Sequence, residues 1–239
     1  MKLDILVLAA HPDDAELGCG GTIAKHTALG KKVGIVDLTR GELGTRGTPE
    51  IRDREAKDSA SILGVSVREN LLLRDGFFQN DPESQLVVIR AIRKYQPRIL
   101  LANAIQDRHV DHGKGASLAY DASFLSGLVK IDTFDDEGKR QSPWRPDVVY
   151  HYVQSQFIIP DFVVDISGEW DVKMKAIRAF SSQFFDPESK EPETYISKPG
   201  FIKMLEGRAV EYGQAIGADY GEGFTTHRFV GVDNLFNLK

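Results

Sequence analysis

The sequence has little of three features that would assign a chain to a particular class. It has one cysteine, Cys19, which excludes a disulfide within the chain. No apolar run approaches the roughly 20 residues that a membrane-spanning helix needs. Residues 1–3 lead directly into a strand-like segment, without the charged start and long apolar stretch of a secretory signal. We therefore expect a cytoplasmic protein with no membrane partner.

An excess of basic charge is also missing. The 30 Lys and Arg residues are dispersed and are outnumbered by 35 Asp and Glu, which gives a formal net charge of −5. Nucleic-acid-binding proteins use a basic field to collect phosphates, so we expect no nucleic-acid partner. With 239 residues, 41% of them hydrophobic, the chain can bury a substantial core. We predict a single domain over residues 1–239.

Short apolar runs alternate with segments of helical periodicity, a pattern typical of βαβ units. It predicts an α/β, Rossmann-like fold: a mainly parallel sheet with helices on both faces. Strands are predicted at residues 5–10, 33–38, 65–73, 98–102, 148–153 and 162–166. Helices are predicted at residues 22–29, 49–63, 81–95, 113–125, 171–180 and 201–216.

A cluster of polar residues follows the first predicted strand. His11, Asp13, Asp14 and Glu16 lie where open α/β sheets build their sites. Any one of these acids could simply cap the next helix. Adjacent carboxylates repel each other, however, unless protons or a cation compensate them, and a divalent metal is the usual compensation. The cluster therefore indicates a metal site.

A second cluster follows the fourth predicted strand, where His109 and His112 flank Asp111. In a doubly wound sheet the first and fourth strands are neighbours, roughly 4.8 Å apart, so their carboxyl-end loops converge. Two imidazoles and one carboxylate form the three-ligand zinc set of hydrolases, and Fe²⁺ fits this set almost as well. The two clusters together predict a metal-dependent hydrolase.

These motifs, with Gly-Cys-Gly-Gly-Thr at residues 18–22, resemble the LmbE-like, or phosphatidylinositol-glycan class L, N-acetylglucosamine deacetylases. The resemblance extends through most of the chain. Residues 39–48 and 182–184 are most similar to the branch that deacetylates N-acetylglucosaminyl-malate in bacillithiol biosynthesis. The resemblance implies a small N-acetyl-amino-sugar substrate, bound Zn²⁺ and a homo-oligomer, since relatives are often hexameric.

The resemblance also implies roles for the motif residues. It makes Asp13 the general base for the attacking water and His109 a proton-donating partner of the tetrahedral intermediate, with Asp111 tuning His109. The implied metal ligands are His11, Asp14 and His112. This division is physically sensible, because a carboxylate three residues after His11 can turn back to the metal while its neighbour accepts a proton.

Substrate contacts are predicted on the same basis. Family members hold sugar hydroxyls at positions that correspond to Arg52 and Asp75, although Arg52 could equally form a surface pair with Glu55. Guanidinium groups bind carboxylates in a bidentate manner, which suits a dianionic malate group. The arginines considered for this role, each of which alone is more typical of solvated loop charge, are Arg40, Arg46 and Arg108.

The donor to the oxyanion is left open by the sequence. Some relatives have a tyrosine just before the second motif, whereas Asp107 and Arg108 precede His109 here. The metal and His109 are the minimum set, with Tyr195 a further candidate. Of the remaining histidines, His26 and His151 are assigned packing or surface roles, and His227 is expected near the rim of the site.

Two other interpretations of the glycine-rich segment and its acids fit the sequence less well. Gly18-Cys19-Gly20-Gly21, with Asp37 ending the second strand, is compatible with a nucleotide-binding Rossmann protein. The third glycine of that motif would fall on Ile23, and the acids of the first cluster would repel a pyrophosphate. A purely structural zinc site would normally take four ligands rich in cysteine, and this chain has one cysteine.

Overall fold

A computed structural model describes residues 1–184 and 187–238. In this part of the chain the strands are β1 (Ile5–Ala9), β2 (Val33–Asp37), β3 (Val67–Asn70), β4 (Ile99–Ala102), β5 (Val148–Tyr152), β6 (Phe162–Asp165) and β7 (Gly221–Thr226). The helices are α1 (Asp14–Ala28), α2 (Pro49–Leu63), α3 (Pro82–Tyr95), α4 (Val110–Leu125), α5 (Trp170–Arg178) and α6 (Phe201–Ala215), followed by a 3-10 helix at Leu235–Asn237.

The seven strands form one sheet in the order β3-β2-β1-β4-β5-β7-β6. The pairs from β3 through β5 are parallel, and β7 pairs antiparallel with both β5 and β6. β1 and β4 are neighbours, as the sequence predicts, so the loops that follow them lie side by side. The order of the strands reverses direction at this pair, which makes it the switch point of the sheet.

Both faces of the sheet are covered by helices. Leu6 and Leu8 of β1 pack with α3 and α4, whereas Ile5, Val7 and Ala9 pack with α1 and α5 on the opposite face. Every residue of β1 is buried, as expected of a central parallel strand between two helical layers. The predicted α/β fold, with a mainly parallel sheet and helices on both faces, is confirmed.

Two predicted elements need correction. α1 begins at Asp14 rather than at residue 22, because residues 14–18 form a helical turn that is joined to the rest of the helix through a kink at Cys19. β7 was not predicted at all, and its antiparallel pairing completes the sheet beyond β5. The other predicted elements are present, with ends that shift by up to three residues.

Two helix starts follow from local capping. The side chain of Thr48 accepts a hydrogen bond from the Ile51 backbone before α2, and Asp81 does the same for Ser84 before α3. In the described residues, no helix combines the length and the apolar composition needed to cross a membrane.

Candidate active site

The loop after β1 supplies the first group of side chains. β1 ends at Ala9 and α1 begins at Asp14, so His11 and Asp13 lie in the turn between them. Oδ2 of Asp14 turns back and accepts a hydrogen bond of 3.0 Å from the His11 backbone N–H. Asp13 has a φ of 115°, which a residue with a Cβ rarely adopts. This turn gives the two adjacent carboxylates different partners.

Three imidazoles meet at the carboxyl ends of β1 and β4. His11 comes from the first loop, while His109 caps the N-terminus of α4 and His112 lies in its first turn. Ligand nitrogens of the three rings lie within 4.8 Å of one another. The ring centroids of His11 and His109 are 4.6 Å apart, and those of His109 and His112 are 5.1 Å apart. The structure therefore brings together the two motifs that the sequence predicts to converge.

Asp14 joins two of these rings. Its Oδ1 lies 3.0 Å from Nε2 of His112, and its Oδ2 lies 3.4 Å from Nδ1 of His11. Zinc bonds of about 2.0–2.2 Å to nitrogen and oxygen place neighbouring ligand atoms roughly 3–3.5 Å apart. The spacing and the types of these donor atoms thus fit a divalent cation of the kind that imidazole and carboxylate ligands prefer.

The protonation of these groups reflects a dense cluster of charge. Burial would raise the pKa of Asp14, but His112 and His11 hold that pKa well below its ordinary value. Burial likewise lowers the pKa of His112, yet the charge of Asp14 and a hydrogen bond to Asp107 raise it to about 9. Protons on the imidazoles thus balance the carboxylates in the metal-free protein, and a cation can replace them.

A second set of carboxylates surrounds the imidazoles. Oδ2 of Asp107 lies 2.5 Å from Nδ1 of His112. Nε2 of His11 lies 3.0 Å from Oδ1 of Asp75 and 3.5 Å from Oδ2 of Asp111. Carboxylates in such positions fix the ring orientation and tautomer of metal-binding histidines. The group of His11, Asp75 and Asp111 is itself compact enough to hold a cation.

Two residues with predicted roles also contact His11. Asp75, for which the resemblance implies contact with a sugar hydroxyl, lies against His11 and accepts a hydrogen bond of 2.9 Å from the Leu43 backbone. Asp111, for which the resemblance implies a role in tuning His109, has its carboxylate against His11, the Gly76 backbone and Lys114. Both roles stay predictions.

His109 has a defined hydrogen-bonding role. Its Nδ1 accepts a hydrogen bond of 3.3 Å from the Asp111 backbone N–H, so the ring proton of the neutral form lies on Nε2. Burial and the positive charges of His11 and His112 lower the pKa of His109. The ring is therefore neutral near pH 7 and still carries one N–H donor.

Asp13 is buried beside Arg52, whose Nη2 donates a hydrogen bond of 3.0 Å to Oδ2 of Asp13. Arg52 also donates to the carbonyl of Pro12 and, over 3.4 Å, to that of Gly41. Burial raises the pKa of Asp13 to about 7, because the opposing charge of Arg52 offsets only part of that effect and Asp14 adds to it. Arg52 was predicted to bind substrate or to pair with Glu55, and the structure pairs it with Asp13.

These groups open into a cavity of about 520 Å³. His11, Asp14 and His112 line this cavity, and α6 forms much of its wall. The α6 residues in the wall share one helix face at spacings of three and four, and they are Phe201, Met204, Leu205, Arg208, Ala209 and Tyr212. The wall is therefore largely apolar, with a few charged groups.

The arginines predicted to bind an anionic group divide into two kinds. Arg108 lines the cavity and stacks on Tyr195, with its guanidinium carbon 4.4 Å from the ring centroid. Arg40 instead pairs with Asp53 at 2.6 Å, and Arg46 contacts residues 189 and 191. Neither Arg40 nor Arg46 is among the residues that line the cavity.

Sequence reasoning missed two polar residues of the cavity wall, Gln154 and Arg208, and the buried Asn103 behind Asp14. Arg208 donates a hydrogen bond of 2.8 Å to the Ser155 carbonyl, and no carboxylate in residues 1–184 and 187–238 pairs with it or with Arg108. Asn103 and Gln154 both donate to Asp14. Asn103 and Gln154 follow β4 and β5 closely, and their place after a parallel strand was the available signal.

Comparisons with known proteins place the chain in a family. A family model described as PIG-L, GlcNAc-PI de-N-acetylase, matches residues 6–123. The diacetylchitobiose deacetylase of Thermococcus kodakarensis is 31% identical over 236 residues, which cover 95% of this chain and 82% of that protein. The chain belongs to the PIG-L family of LmbE-like deacetylases. The assignment from sequence motifs, and with it that of a hydrolytic deacetylase, is confirmed.

Two further matches bear on the range of this family. The crystal structure of the conserved protein TT1542 from Thermus thermophilus has a TM-score of 0.86 and 36% identity, and the match covers 98% of both chains. The 4-oxalmesaconate hydratase of Pseudomonas putida is 26% identical over 203 residues, covering 74% of this chain and 73% of that protein. Chains similar to this one thus carry names of more than one reaction.

Proposed function

We propose that this protein uses a divalent metal ion to hydrolyse the acetamide of an N-acetyl-amino-sugar conjugate. Zn²⁺ is the ion that we propose, and Fe²⁺ is the alternative. The observation that carries the proposal is one cavity in which a carboxylate of pKa about 7 lies beside two imidazoles and a second carboxylate at metal-ligand spacing. The proposal that the group removed is acetyl rests on membership in a family of deacetylases.

The proposed ligands are His11, Asp14 and His112. Three protein ligands leave a position for water and substrate, as in hydrolytic zinc sites. The alternative group around Asp75 and Asp111 is less suited, because Lys114 and backbone N–H groups of Leu43 and Gly76 already satisfy these carboxylates. A cation bound at the proposed site would polarise the amide carbonyl and lower the pKa of the attacking water.

The remaining chemistry belongs to side chains. Asp13 accepts the proton of the attacking water, and a pKa of about 7 suits a group that must accept and then release a proton near neutrality. Arg52 fixes the orientation of the Asp13 carboxylate through its hydrogen bond of 3.0 Å. The Nε2–H of His109 is the donor for the oxygen of the tetrahedral intermediate or for the departing amine.

A test of the metal centre compares four variants. His11→Ala, Asp14→Ala and His112→Ala should each lose metal and activity together, because two remaining ligands hold the cation poorly. His26→Ala is the control, since its Nδ1 contacts the Thr22 carbonyl far along α1. Metal content by plasma mass spectrometry is the measurement, and full occupancy in a variant would remove that residue from the ligand set.

The substrate that we propose is N-acetylglucosaminyl-malate, the intermediate of bacillithiol biosynthesis. Its support is the pair of cavity arginines, Arg108 and Arg208, which lack carboxylate partners among the described residues. A sheltered charge-assisted hydrogen bond contributes about 1.5–3 kcal/mol, equivalent to roughly 10- to 100-fold in affinity. An anionic aglycone at these arginines would therefore be preferred over a neutral one.

The discriminating experiment measures acetate release from the malate conjugate, N,N'-diacetylchitobiose and a neutral methyl N-acetylglucosaminide. Arg108→Gln and Arg208→Gln should lower kcat/KM for the malate conjugate roughly 10- to 100-fold and leave the neutral substrate nearly unchanged. Arg40→Gln, on the Asp53 surface pair, is the matched control. Equal specificity for charged and neutral substrates would overturn the malate assignment alone.

The same assay decides the reaction class. If the metal-loaded protein releases no acetate from any of these substrates but hydrates an unsaturated tricarboxylate such as 4-oxalmesaconate, the deacetylase proposal fails.

A further inference from the structure

Both oxygens of Asp14 receive a hydrogen bond from a neutral side-chain amide. Nδ2 of Asn103 donates to Oδ2 over 3.0 Å, and Nε2 of Gln154 donates to Oδ1 over 2.9 Å. Asn103 follows β4 and Gln154 lies just beyond β5, so three neighbouring parallel strands deliver these residues to one point. We call Asn103 and Gln154 the amide clamp.

The orientation of the clamp is fixed by the backbone. The Ala10 N–H donates to Oδ1 of Asn103 over 2.8 Å, and the Ala104 N–H donates to Oε1 of Gln154 over 3.0 Å. Nδ2 of Asn103 also donates to Oε1 of Gln154 over 3.0 Å. Because each amide oxygen is committed to a donor, each amide NH₂ group must face Asp14.

The clamp is also held in place by its surroundings. Asn103 is 1% exposed, and its backbone carbonyl accepts a hydrogen bond of 2.9 Å from Nδ1 of the buried His151. Gln154 is 8% exposed and forms part of the cavity wall. Neither amide can change its rotamer without leaving a buried backbone N–H without a partner, which costs about 1–3 kcal/mol.

We propose that Asn103 and Gln154 are positioning residues that hold Asp14 in the geometry of a metal ligand. The inference rests on the proposed role of Asp14 as a ligand. Without the clamp the carboxylate would keep only the hydrogen bond from the His11 backbone N–H to Oδ2 and its contacts with the imidazoles, whereas the two amides hold both Oδ1 at His112 and Oδ2 at His11. Neutral donors do this without cancelling the negative charge that the cation needs.

The test measures metal affinity rather than turnover. Gln154→Met keeps the length of the side chain and removes the donor to Asp14. Asn103→Asp keeps an acceptor for the Ala10 N–H and removes the donors to Asp14 and Gln154. Gln154→Met should bind Zn²⁺ about 10- to 100-fold more weakly in competition with a chromophoric chelator, and both variants should alter the visible absorption of bound Co²⁺.

Gln183→Met is the matched control. Gln183 is a buried amide that also lines the cavity, but its Nε2 donates to the Arg46 carbonyl and to Ser182, away from the imidazoles. Its Zn²⁺ affinity and Co²⁺ spectrum should equal those of the unaltered protein. Thermal unfolding of the metal-free variants shows whether they are folded, and if Asn103→Asp fails to fold, Gln154→Met decides the question.

Asp14→Ala separates the two possible failures. If Asp14→Ala binds Zn²⁺ as tightly as the unaltered protein, the ligand assignment in the proposed function is wrong. If Asp14→Ala loses Zn²⁺ while Gln154→Met binds it with the affinity of Gln183→Met, the ligand assignment stands and the clamp is overturned.

Discussion

Asp13 combines a strained backbone with a shifted pKa. A φ of 115° in a residue with a Cβ costs of order 1–3 kcal/mol. The strain accompanies a tight turn in which Asp13 meets Arg52 while Asp14 meets His11 and His112. Two adjacent acids thereby have different partners, as the separate roles that we propose for them require, and such pairs with divergent environments are typical of acid–base sites.

Asp13→Asn tests the role of Asp13 as the general base. The amide keeps the shape of the side chain but accepts no proton, so we expect kcat to fall by about 10²- to 10⁴-fold with Zn²⁺ content unchanged. Asp53→Asn serves as the control, because Asp53 also pairs with an arginine, Arg40, but does so on the surface. Turnover near normal in Asp13→Asn, with metal bound, would assign the base to another group.

His151 should make stability depend on pH. Burial lowers its pKa to about 4, with the nearby His227 adding to the effect, against an ordinary value of about 6.5. Because the unfolded chain binds the proton more tightly, stability is complete above pH 6.5 and falls as the pH drops towards 4. A shift of this size corresponds to about 3 kcal/mol.

Urea unfolding of the metal-free protein between pH 7 and pH 4 measures this contribution. His151→Asn, which retains a donor for the Asn103 carbonyl, should lower stability at pH 7 but should show a slope shallower by about 3 kcal/mol over the range. Parallel curves for the protein and His151→Asn would refute the prediction.

At the scale of the elements, the sequence predicts the strands whose segments include apolar residues in runs, such as residues 65–73 around β3, and misses β7, whose segment has none. β1 reads Ile-Leu-Val-Leu-Ala and was found, whereas β7 reads Gly-Glu-Gly-Phe-Thr-Thr, and glycine weakens any strand signal. Gly223 is required there by a close neighbour, since a Cβ would lie 2.8 Å from the Tyr212 ring. Long-range packing of this kind cannot be read from one segment.

The sequence also failed to predict the start of α1 and the hydrogen bonds of the amide clamp. Gly18-Cys19-Gly20-Gly21 has poor intrinsic helix propensity, and burial between the sheet and α5 overrides it. The two histidine motifs could be paired because strand order brings their loops together. The amide clamp was not identified, because single Asn and Gln residues after β4 and β5 form no motif that distinguishes them from other polar loop residues, although strand order brings them to Asp14 in the same way.

The packing of α1 gives a prediction on stability. A Cβ at Gly18 would lie 2.2 Å from Cδ2 of the fully buried Tyr152, whose hydroxyl donates to the Leu8 carbonyl. Gly18→Ala should therefore destabilise the fold by about 1–3 kcal/mol through overpacking. Gly207→Ala in α6 meets no atom within 4 Å and should stabilise by about 0.5–1 kcal/mol. Urea unfolding measures the free energy of unfolding of both variants. Equal changes in the two variants would contradict the prediction.

At the scale of the whole molecule, charge is distributed unevenly. The chain has a formal net charge of −5, yet the cavity contains Arg108 and Arg208 without ion-pair partners among the described residues. Two such guanidinium groups inside a cavity can bind a small anion but not an extended polyanion, which agrees with the absence of a nucleic-acid partner that we predict. The single domain and the cytoplasmic location likewise stay predictions.

The homo-oligomer that we predict has a candidate contact in the segment after β7. Phe229 and Phe236 are 101% and 98% exposed, and Leu235 beside the latter is 80% exposed. Two fully exposed phenylalanines within eight residues are unusual on a free surface, because each ring gains about 1.5–3 kcal/mol on burial. We expect this segment to pack against another copy of the chain.

Phe229→Ser combined with Phe236→Ser tests that contact. Loss of both rings should cost on the order of 3–6 kcal/mol per contact and raise the dissociation constant of the oligomer at least ~100-fold. Sedimentation velocity over a range of protein concentrations should then show smaller species for the double variant. Val129→Ser, an apolar residue that is 68% exposed in another loop, should leave the distribution unchanged. If the unaltered protein is a monomer, this segment forms no such contact. If the unaltered protein is an oligomer and the double variant sediments identically, the rings of Phe229 and Phe236 are not buried in the assembly and the segment is excluded as the contact.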